Sequence, residues 1–176
     1  MVWRWRRSKK IDEQLTVDRV TGTFSRSRLD LDLAAGVDVS GRSTASLILH
    51  VDNLEQFGKR SPSSVNQILE RTAWVVMATV RSSDIVYRHS DSSFCVLLPV
   101  TTDEQALIVA ERIRSNIEST PLLADSNATV SVGVAVGDSG QIGRTTHRAD
   151  AALATAAHNS VVHIRWHYGR SAWGAA

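Results

Sequence analysis

Two short apolar segments separated by a polar tip constrain this chain more than any other feature. They lie within residues 86–99, and the tip between them is Ser90-Asp91-Ser92-Ser93. Ser and Asp favour turns because their side chains hydrogen-bond to nearby backbone groups. The run from Phe94 to Leu98 is continuously apolar, which is typical of a strand buried on both faces. The stretch therefore predicts a buried β-hairpin whose second strand stops at Pro99, because proline cannot donate to a strand ladder.

Helical and strand periodicities alternate on both sides of this hairpin. Thr101 and Glu104 have capping-box spacing and predict the start of the helix that follows it. The alternating valines of residues 130–136 predict a strand with one buried face. The order is strand, helix, hairpin, helix, strand, helix, strand. We therefore predict an α/β (α+β) fold with a central mixed, mostly antiparallel sheet of about five strands flanked by helices.

Length, charge and cysteine usage exclude several classes of protein. The chain has 176 residues, one cysteine and a formal charge of +2, so we expect a single core and no nucleic-acid partner. The lone Cys95 excludes a disulfide framework and fits a reducing cytoplasm. No apolar run approaches the roughly 20 residues that cross a bilayer, and the basic start has no signal-peptide core behind it.

The ends of the chain differ in composition from its middle. We predict a basic N-terminal segment at residues 1–17, one domain at residues 18–168 and a C-terminal tail at residues 169–176. Tryptophan favours the membrane interface and arginine favours anionic lipid. The pattern allows weak peripheral membrane contact, but a frayed and solvated terminus is the favoured interpretation. The residues concerned are Trp3, Arg4, Trp5, Arg6 and Arg7.

Five sequence blocks, in order, resemble the GGDEF domain of diguanylate cyclases. Residues 18–22 with Ser25-Arg26 are similar to the opening Asp-x-Leu-Thr-Gly and Asn-Arg of that family, and residues 88–94 are similar to its Arg-Tyr-Gly-Gly-Asp-Glu-Phe signature. The later blocks match almost letter for letter at residues 110–114, 130–135 and 148–153. The resemblance implies the palm-like nucleotidyl-cyclase fold and a reaction that joins two GTP molecules into cyclic di-GMP.

The resemblance also implies a divalent metal, which this chain lacks the residues to hold. Mg²⁺ prefers hard oxygen ligands, and it would neutralise the triphosphate and activate the attacking hydroxyl. The first-strand carboxylate falls on His50, and the signature acids fall on Ser92 and Ser93. The family's guanine-contacting and phosphate-binding positions fall at about Gly58, near Asn66, and on Ala157 and Val161. We predict that the domain has lost its magnesium site, has no catalytic residues and is not an active enzyme.

A different family motif is retained. Arg81 and Asp84 resemble the inhibitory Arg-x-x-Asp site that binds cyclic di-GMP, and Arg112 matches an arginine that the family often adds from the next helix. Arginine offers a planar fork to guanine O6/N7 or phosphate. The sequence therefore predicts a degenerate GGDEF domain that binds cyclic di-GMP at Arg81, Asp84 and Arg112 and acts as an effector or regulator.

Several alternatives stay open at this stage. Arg81 and Asp84 can instead form a surface ion pair with little energetic value. The fold can serve as a ligand-independent scaffold for a protein partner or a homodimer, and an active diguanylate cyclase is the least favoured function. His50, Asp52 and Asp91 can together bind a metal softer than Mg²⁺.

Overall fold

The computed structural model describes residues 16–36, 43–59, 62–100, 102–121, 123, 128–156 and 160–163. Residues 1–15 of the predicted N-terminal segment, residues 164–168 at the end of the predicted domain and the predicted tail at residues 169–176 lie outside the described residues. The elements, in chain order, are α1 (Arg26–Ala35), β1 (Ser43–Val51), α2 (Leu54–Gly58), α3 (Pro62–Thr79), β2 (Ile85–Ser90), β3 (Ser93–Val100), α4 (Asp103–Ser119), β4 (Val130–Asp138), α5 (Ile142–Thr155) and β5 (Val161–His163).

The five strands form one mixed sheet in the order β2-β3-β1-β4-β5. The pairs β2–β3, β3–β1 and β1–β4 are antiparallel, and only β4–β5 is parallel. This confirms the predicted α+β class with a mostly antiparallel sheet. The hairpin is also present, with Ser90 paired to Ser93 across a tip of Asp91 and Ser92.

Helices cover both faces of the sheet, and the side chains of β1 alternate between two hydrophobic cores. Leu47 and Leu49 join one core with residues of α3 and α4, such as Val76 and Ile113. Ile48 joins the other core with residues of α1 and α5. Because both faces are covered, the central strands are apolar almost throughout.

The starts of two helices follow from local sequence. The Ser25 side chain accepts a hydrogen bond from the Arg28 amide at 3.2 Å and caps α1. Thr102, rather than the predicted Thr101, caps α4 by accepting from the Gln105 amide at 3.4 Å. The capping prediction was therefore wrong by one residue, because two adjacent threonines offer the same chemistry and the sequence does not choose between them.

Two strand predictions also need correction. Strand β3 continues past Pro99 to Val100, since β2 pairs only as far as Leu97 and leaves an edge where a missing amide is tolerated. Strand β4 is buried on both faces up to Ala135, not on one face. The small residues Gly133 and Ala135 pack against α5, and an alternation rule assigns such residues to a solvent-facing side. No helix within the described residues has the length and apolar character needed to span a bilayer.

Candidate ligand-binding site

The turn between α3 and β2 places Arg81 and Asp84 together at the surface. The Asp84 amide donates to the Arg81 carbonyl at 3.0 Å, and the Arg81 amide donates to Asp84 Oδ2 at 2.8 Å. The Ser83 hydroxyl donates to Asp84 Oδ1 at 3.3 Å. Within the described part of the chain, the Arg81 guanidinium has neither an ion pair nor a hydrogen bond, so the surface ion pair considered above is not formed.

Arg112 of α4 is held against the end of α3. Its Nη2 donates to the Thr79 carbonyl at 3.1 Å, which satisfies one of the carbonyls left open at a helix C-terminus. The neighbouring Asn116 donates to the Thr79 hydroxyl at 3.0 Å. These bonds fix the position of the Arg112 side chain while it stays exposed to solvent.

All three predicted site residues line one surface cavity of about 220 Å³. Arg81 and Asp84 come from the turn and Arg112 from the middle of α4, and Pro99 and Ile108 add apolar walls. Two guanidinium groups and one carboxylate therefore converge on the same opening. This arrangement offers cations for an anionic ligand and an acceptor for its hydrogen-bond donors.

A second cavity, of about 380 Å³, lies on the other side of the same turn and is also lined by Arg81 and Asp84. Its wall includes Tyr87, whose hydroxyl donates to Asp32 Oδ2 at 2.9 Å. The same carboxylate oxygen accepts from Arg28 Nε at 2.7 Å. Burial, and then the nearby Asp32 carboxylate, raise the pKa of Tyr87 above its ordinary value. The local sequence pattern does not predict this cavity, although the i,i+4 spacing of Arg28 and Asp32 predicts the ion pair in its wall.

The hairpin tip stands at the end of β1, where the resemblance places the metal and the triphosphate. The Val51 amide donates to the Ser92 carbonyl at 2.8 Å, which joins the tip to β1. His50 Nδ1 lies 3.3 Å from the Ser92 hydroxyl. An imidazole and a hydroxyl therefore meet where the family has two carboxylates.

A further series of side-chain contacts runs from the hairpin tip to α5. The Ser93 hydroxyl lies 2.5 Å from the Ser90 hydroxyl and 3.2 Å from His89 Nδ1. His89 Nε2 in turn lies 3.4 Å from Asp150 Oδ2. Ser93 is buried. The series of contacts from Ser93 through His89 to Asp150 therefore links the hairpin tip to the body of the domain.

Asp52, the strand aspartate that the chain retains, is buried, and its carboxylate accepts hydrogen bonds from two hydroxyl groups. Thr129 donates to its Oδ2 at 2.8 Å, and Ser131 donates to its Oδ1 at 2.9 Å. These bonds connect the end of β1 to the start of β4. Among the described residues, no group of three His, Cys, Asp or Glu side chains is placed to hold a metal ion, so the softer metal site considered for His50, Asp52 and Asp91 is not assembled.

The fold is a palm-like α+β domain with a mixed five-stranded sheet, and comparison with known proteins identifies the family. Residues 15–161 match the family described as diguanylate cyclase, GGDEF domain. The chain belongs to the GGDEF family. This confirms the resemblance that the sequence motifs indicate.

Relatives and solved structures place the chain within this family at low identity. Diguanylate cyclase DosC of Escherichia coli K12 is 28% identical over 99 residues, which are 56% of this chain and 22% of DosC. The chain thus matches about a fifth of the length of that relative. The diguanylate cyclase SiaD of Pseudomonas aeruginosa, solved with its activator SiaC, is 25% identical with a TM-score of 0.71, over 86% of this chain and 64% of SiaD.

A third comparison supports the fold alone. The GGDEF domain of DgcB from Caulobacter crescentus, solved in complex with cyclic di-GMP, is 22% identical with a TM-score of 0.71. The similarity covers 91% of this chain and 98% of that domain. Nearly the whole DgcB domain therefore has a structural counterpart in this chain.

Proposed function

We propose that this GGDEF domain has no cyclase activity and binds cyclic di-GMP at Arg81, Asp84 and Arg112, through which it acts as an effector or regulator. The observation that carries the proposal is their convergence on one cavity. These residues come from two separate elements, and the Arg81 guanidinium has no partner among the described residues.

The chemistry of the cavity matches a cyclic guanine dinucleotide. The ligand carries two phosphate charges, and the cavity presents two guanidinium groups that make strong, charge-assisted hydrogen bonds. Asp84 supplies an acceptor for the N–H edge of guanine, and Pro99 and Ile108 supply apolar contacts for the rings. The DgcB domain, which shares this fold, is described in complex with cyclic di-GMP.

The hairpin tip does not fit the magnesium ion that the family's reaction requires. His50, Ser92 and Ser93 supply no carboxylate oxygen there, and Mg²⁺ is bound mainly through carboxylates and phosphates. Asp52 is buried, and the Thr129 and Ser131 hydroxyls hold its carboxylate. We infer that the domain cannot neutralise and activate a triphosphate at this place, which supports the absence of cyclase activity.

Calorimetric titration of cyclic di-GMP tests the ligand site. Wild-type protein should bind, and Arg81→Ala should weaken binding by about tenfold or more, since a charge-assisted hydrogen bond is lost. Arg112→Ala should weaken it similarly. Arg144→Ala is the matched control, because Arg144 is an exposed arginine on α5 that pairs with Gln141. Absence of heat in the wild type, or equal affinity in wild type and Arg81→Ala, rules out the proposed site.

The absence of catalysis has its own test. The protein is incubated with GTP and either Mg²⁺ or Mn²⁺, and the products are separated by chromatography. We expect no cyclic di-GMP above a protein-free blank. Product that scales with protein concentration contradicts the inactive assignment without bearing on the ligand site.

A protein-interaction role is the second candidate, and exposed apolar side chains favour it. Trp74 of α3 is 55% exposed. The Arg71 guanidinium lies over the Trp74 ring, 4.6 Å from the ring centre. Aromatic residues and arginine are enriched at protein interfaces. A partner that binds wild type and Arg81→Ala equally, with or without cyclic di-GMP, but loses affinity for Trp74→Ala would favour this role over the ligand-reading one.

A further inference from the structure

We propose that the cavity of about 380 Å³ beside the Arg81–Asp84 turn is a guanine subsite, which takes the second base of the bound dinucleotide. This inference rests on the proposed function, since it assumes that cyclic di-GMP binds at the turn. It goes further by assigning recognition roles to Asp32 and Met77, which the sequence motifs do not mark.

The two cavities are neighbours that share part of their wall. Arg81 and Asp84 line both the cavity that contains Arg112 and the cavity that contains Asp32. A ligand held at the turn therefore has one opening on each side of it. A cyclic dinucleotide has two bases joined by a phosphodiester ring, so a phosphate at Arg81 leaves one base to reach each side.

Asp32 supplies the polar contact that a guanine base needs. Its Oδ2 accepts hydrogen bonds from Tyr87 and Arg28, at 2.9 and 2.7 Å. Its Oδ1 accepts none from a described residue. Guanine presents two adjacent donors, N1–H and the exocyclic amino group, whereas adenine presents an acceptor at N1, so a carboxylate acceptor discriminates between them. The two existing bonds hold the carboxylate in place before a ligand arrives.

The remaining wall of the cavity suits a flat aromatic ring. Phe24 and Met77 are 37% and 40% exposed and line the opening together with Val80. The Arg28 guanidinium lies over the Phe24 ring at 5.3 Å, which fixes the orientation of that ring. A mostly apolar cavity of a few hundred Å³ with a small number of placed polar groups is the usual form of a small-molecule site.

The first test fills the cavity. Met77→Trp places an indole at the opening and should weaken cyclic di-GMP binding by about tenfold or more, through the lost burial of one base. Ala78→Trp is the matched control, because Ala78 is the next exposed residue of α3 and does not line the cavity. Wild-type affinity in Met77→Trp overturns the inference.

The second test measures recognition of the hydrogen-bonding edge of the base, whereas the first test changes the volume of the cavity. Wild type should prefer cyclic di-GMP over its inosine analogue, cyclic di-IMP, which lacks both exocyclic amino groups. Asp32→Asn should reduce this preference by about tenfold, because a charged acceptor for the amino group is replaced by a neutral one. Thermal unfolding of Asp32→Asn establishes that it is folded at the titration temperature. A preference equal to that of wild type overturns the role of Asp32.

The two proposals fail in different ways. If Arg112→Ala weakens binding while Met77→Trp and Asp32→Asn leave both affinity and base preference unchanged, the dinucleotide binds at the turn and the second cavity is not part of its site. If Arg81→Ala and Arg112→Ala have no effect on binding, the proposed function itself fails.

Discussion

Among the residues that the structure describes, Tyr87 is the largest side chain that is completely buried, and its hydroxyl needs a partner there. It donates to Asp32 Oδ2 at 2.9 Å, across the contact between β2 and α1. We expect Tyr87→Phe to lower the free energy of unfolding by about 1.5 kcal/mol, the typical value of a hydrogen bond to a charged group that water only partly replaces. Urea denaturation measures the change.

A double-mutant cycle isolates this hydrogen bond from the rest of the ring. In an Asp32→Asn background, Tyr87→Phe should cost clearly less than it does in wild type, because the charged acceptor is gone. Equal costs in the two backgrounds would mean that the effect of removing the hydroxyl does not depend on the charge of Asp32.

Cys95 lies at the centre of the sheet and should be chemically inert in the folded protein. Burial raises the pKa of its thiol to about 12. A thiol reagent such as iodoacetamide attacks the thiolate, so we expect no labelling of native protein at pH 8 and full labelling in denaturing urea. Labelling of native protein at the rate of the unfolded chain would show that β3 opens.

The raised pKa of the Cys95 thiol also makes the free energy of unfolding depend on pH, and the direction of this dependence can be derived. An unfolded thiol ionises near pH 8.5 to 9, whereas the folded thiol stays protonated up to about pH 12. Ionisation therefore favours the unfolded state, and the contribution of Cys95 to stability is present below about pH 8.5 and falls as pH rises above it. Cys95→Ala should be less sensitive to pH between 9 and 10 than wild type when their unfolding curves are compared.

At the scale of single residues, the sequence predicts motif positions better than it predicts side-chain contacts. Arg81 and Asp84 are marked by their resemblance to a family motif, and both lie in the single turn between α3 and β2. The contact of Ser93 with His89 and then Asp150 depends on how α5 crosses the sheet. Nothing in the local pattern around Asp150 reports that distance.

The contact between α5 and β4 depends on Gly133, which has no side chain. A Cβ atom at this position would collide with the Ala149 carbonyl oxygen and the Leu153 amide nitrogen, and would lie 2.8 Å from Leu153 Cβ. The helix backbone therefore lies directly on the strand. We expect Gly133→Ala to lower the free energy of unfolding by about 3 kcal/mol, since a packed helix must move to admit the methyl group.

Gly143 of α5 is the matched control for this substitution. A Cβ atom there meets nothing within 4 Å. Alanine is the better helix former, so Gly143→Ala should be neutral or stabilising by up to about 1 kcal/mol. Thermal or urea unfolding of both variants compares the two sites, and comparable destabilisation of both would show that α5 does not pack as closely as described.

At the scale of elements, periodicity identified the helices and strands, and its failures have physical causes. The alternation of valines in β4 predicted one buried face, but Gly133 and Ala135 are small because α5 covers them. Small residues under a helix and polar residues facing water interrupt an apolar pattern in the same way. The order of the strands in the sheet depends on how the helices connect them, and the local pattern does not predict it.

At the scale of the whole molecule, ligand binding and global stability are linked. A ligand that binds only the folded state at about 100 times its Kd adds about 2.7 kcal/mol to the free energy of unfolding. For a domain of this size, that corresponds to a rise in Tm of roughly 5–10 °C. We expect cyclic di-GMP to produce this rise in wild type and in Arg144→Ala, since Arg144 lies on α5 and donates to Gln141. At the same ligand concentration, Arg81→Ala should show about half of the rise or less, because Arg81 lines both cavities and a tenfold loss of affinity leaves about 1.4 kcal/mol of stabilisation. A non-hydrolysable GTP analogue with Mg²⁺ should leave the Tm unchanged, since His50, Ser92 and Ser93 replace the acids that would hold the ion. A rise in Arg81→Ala equal to that of wild type would place the ligand elsewhere on the domain, and a rise with the GTP analogue would assign triphosphate binding to the hairpin tip.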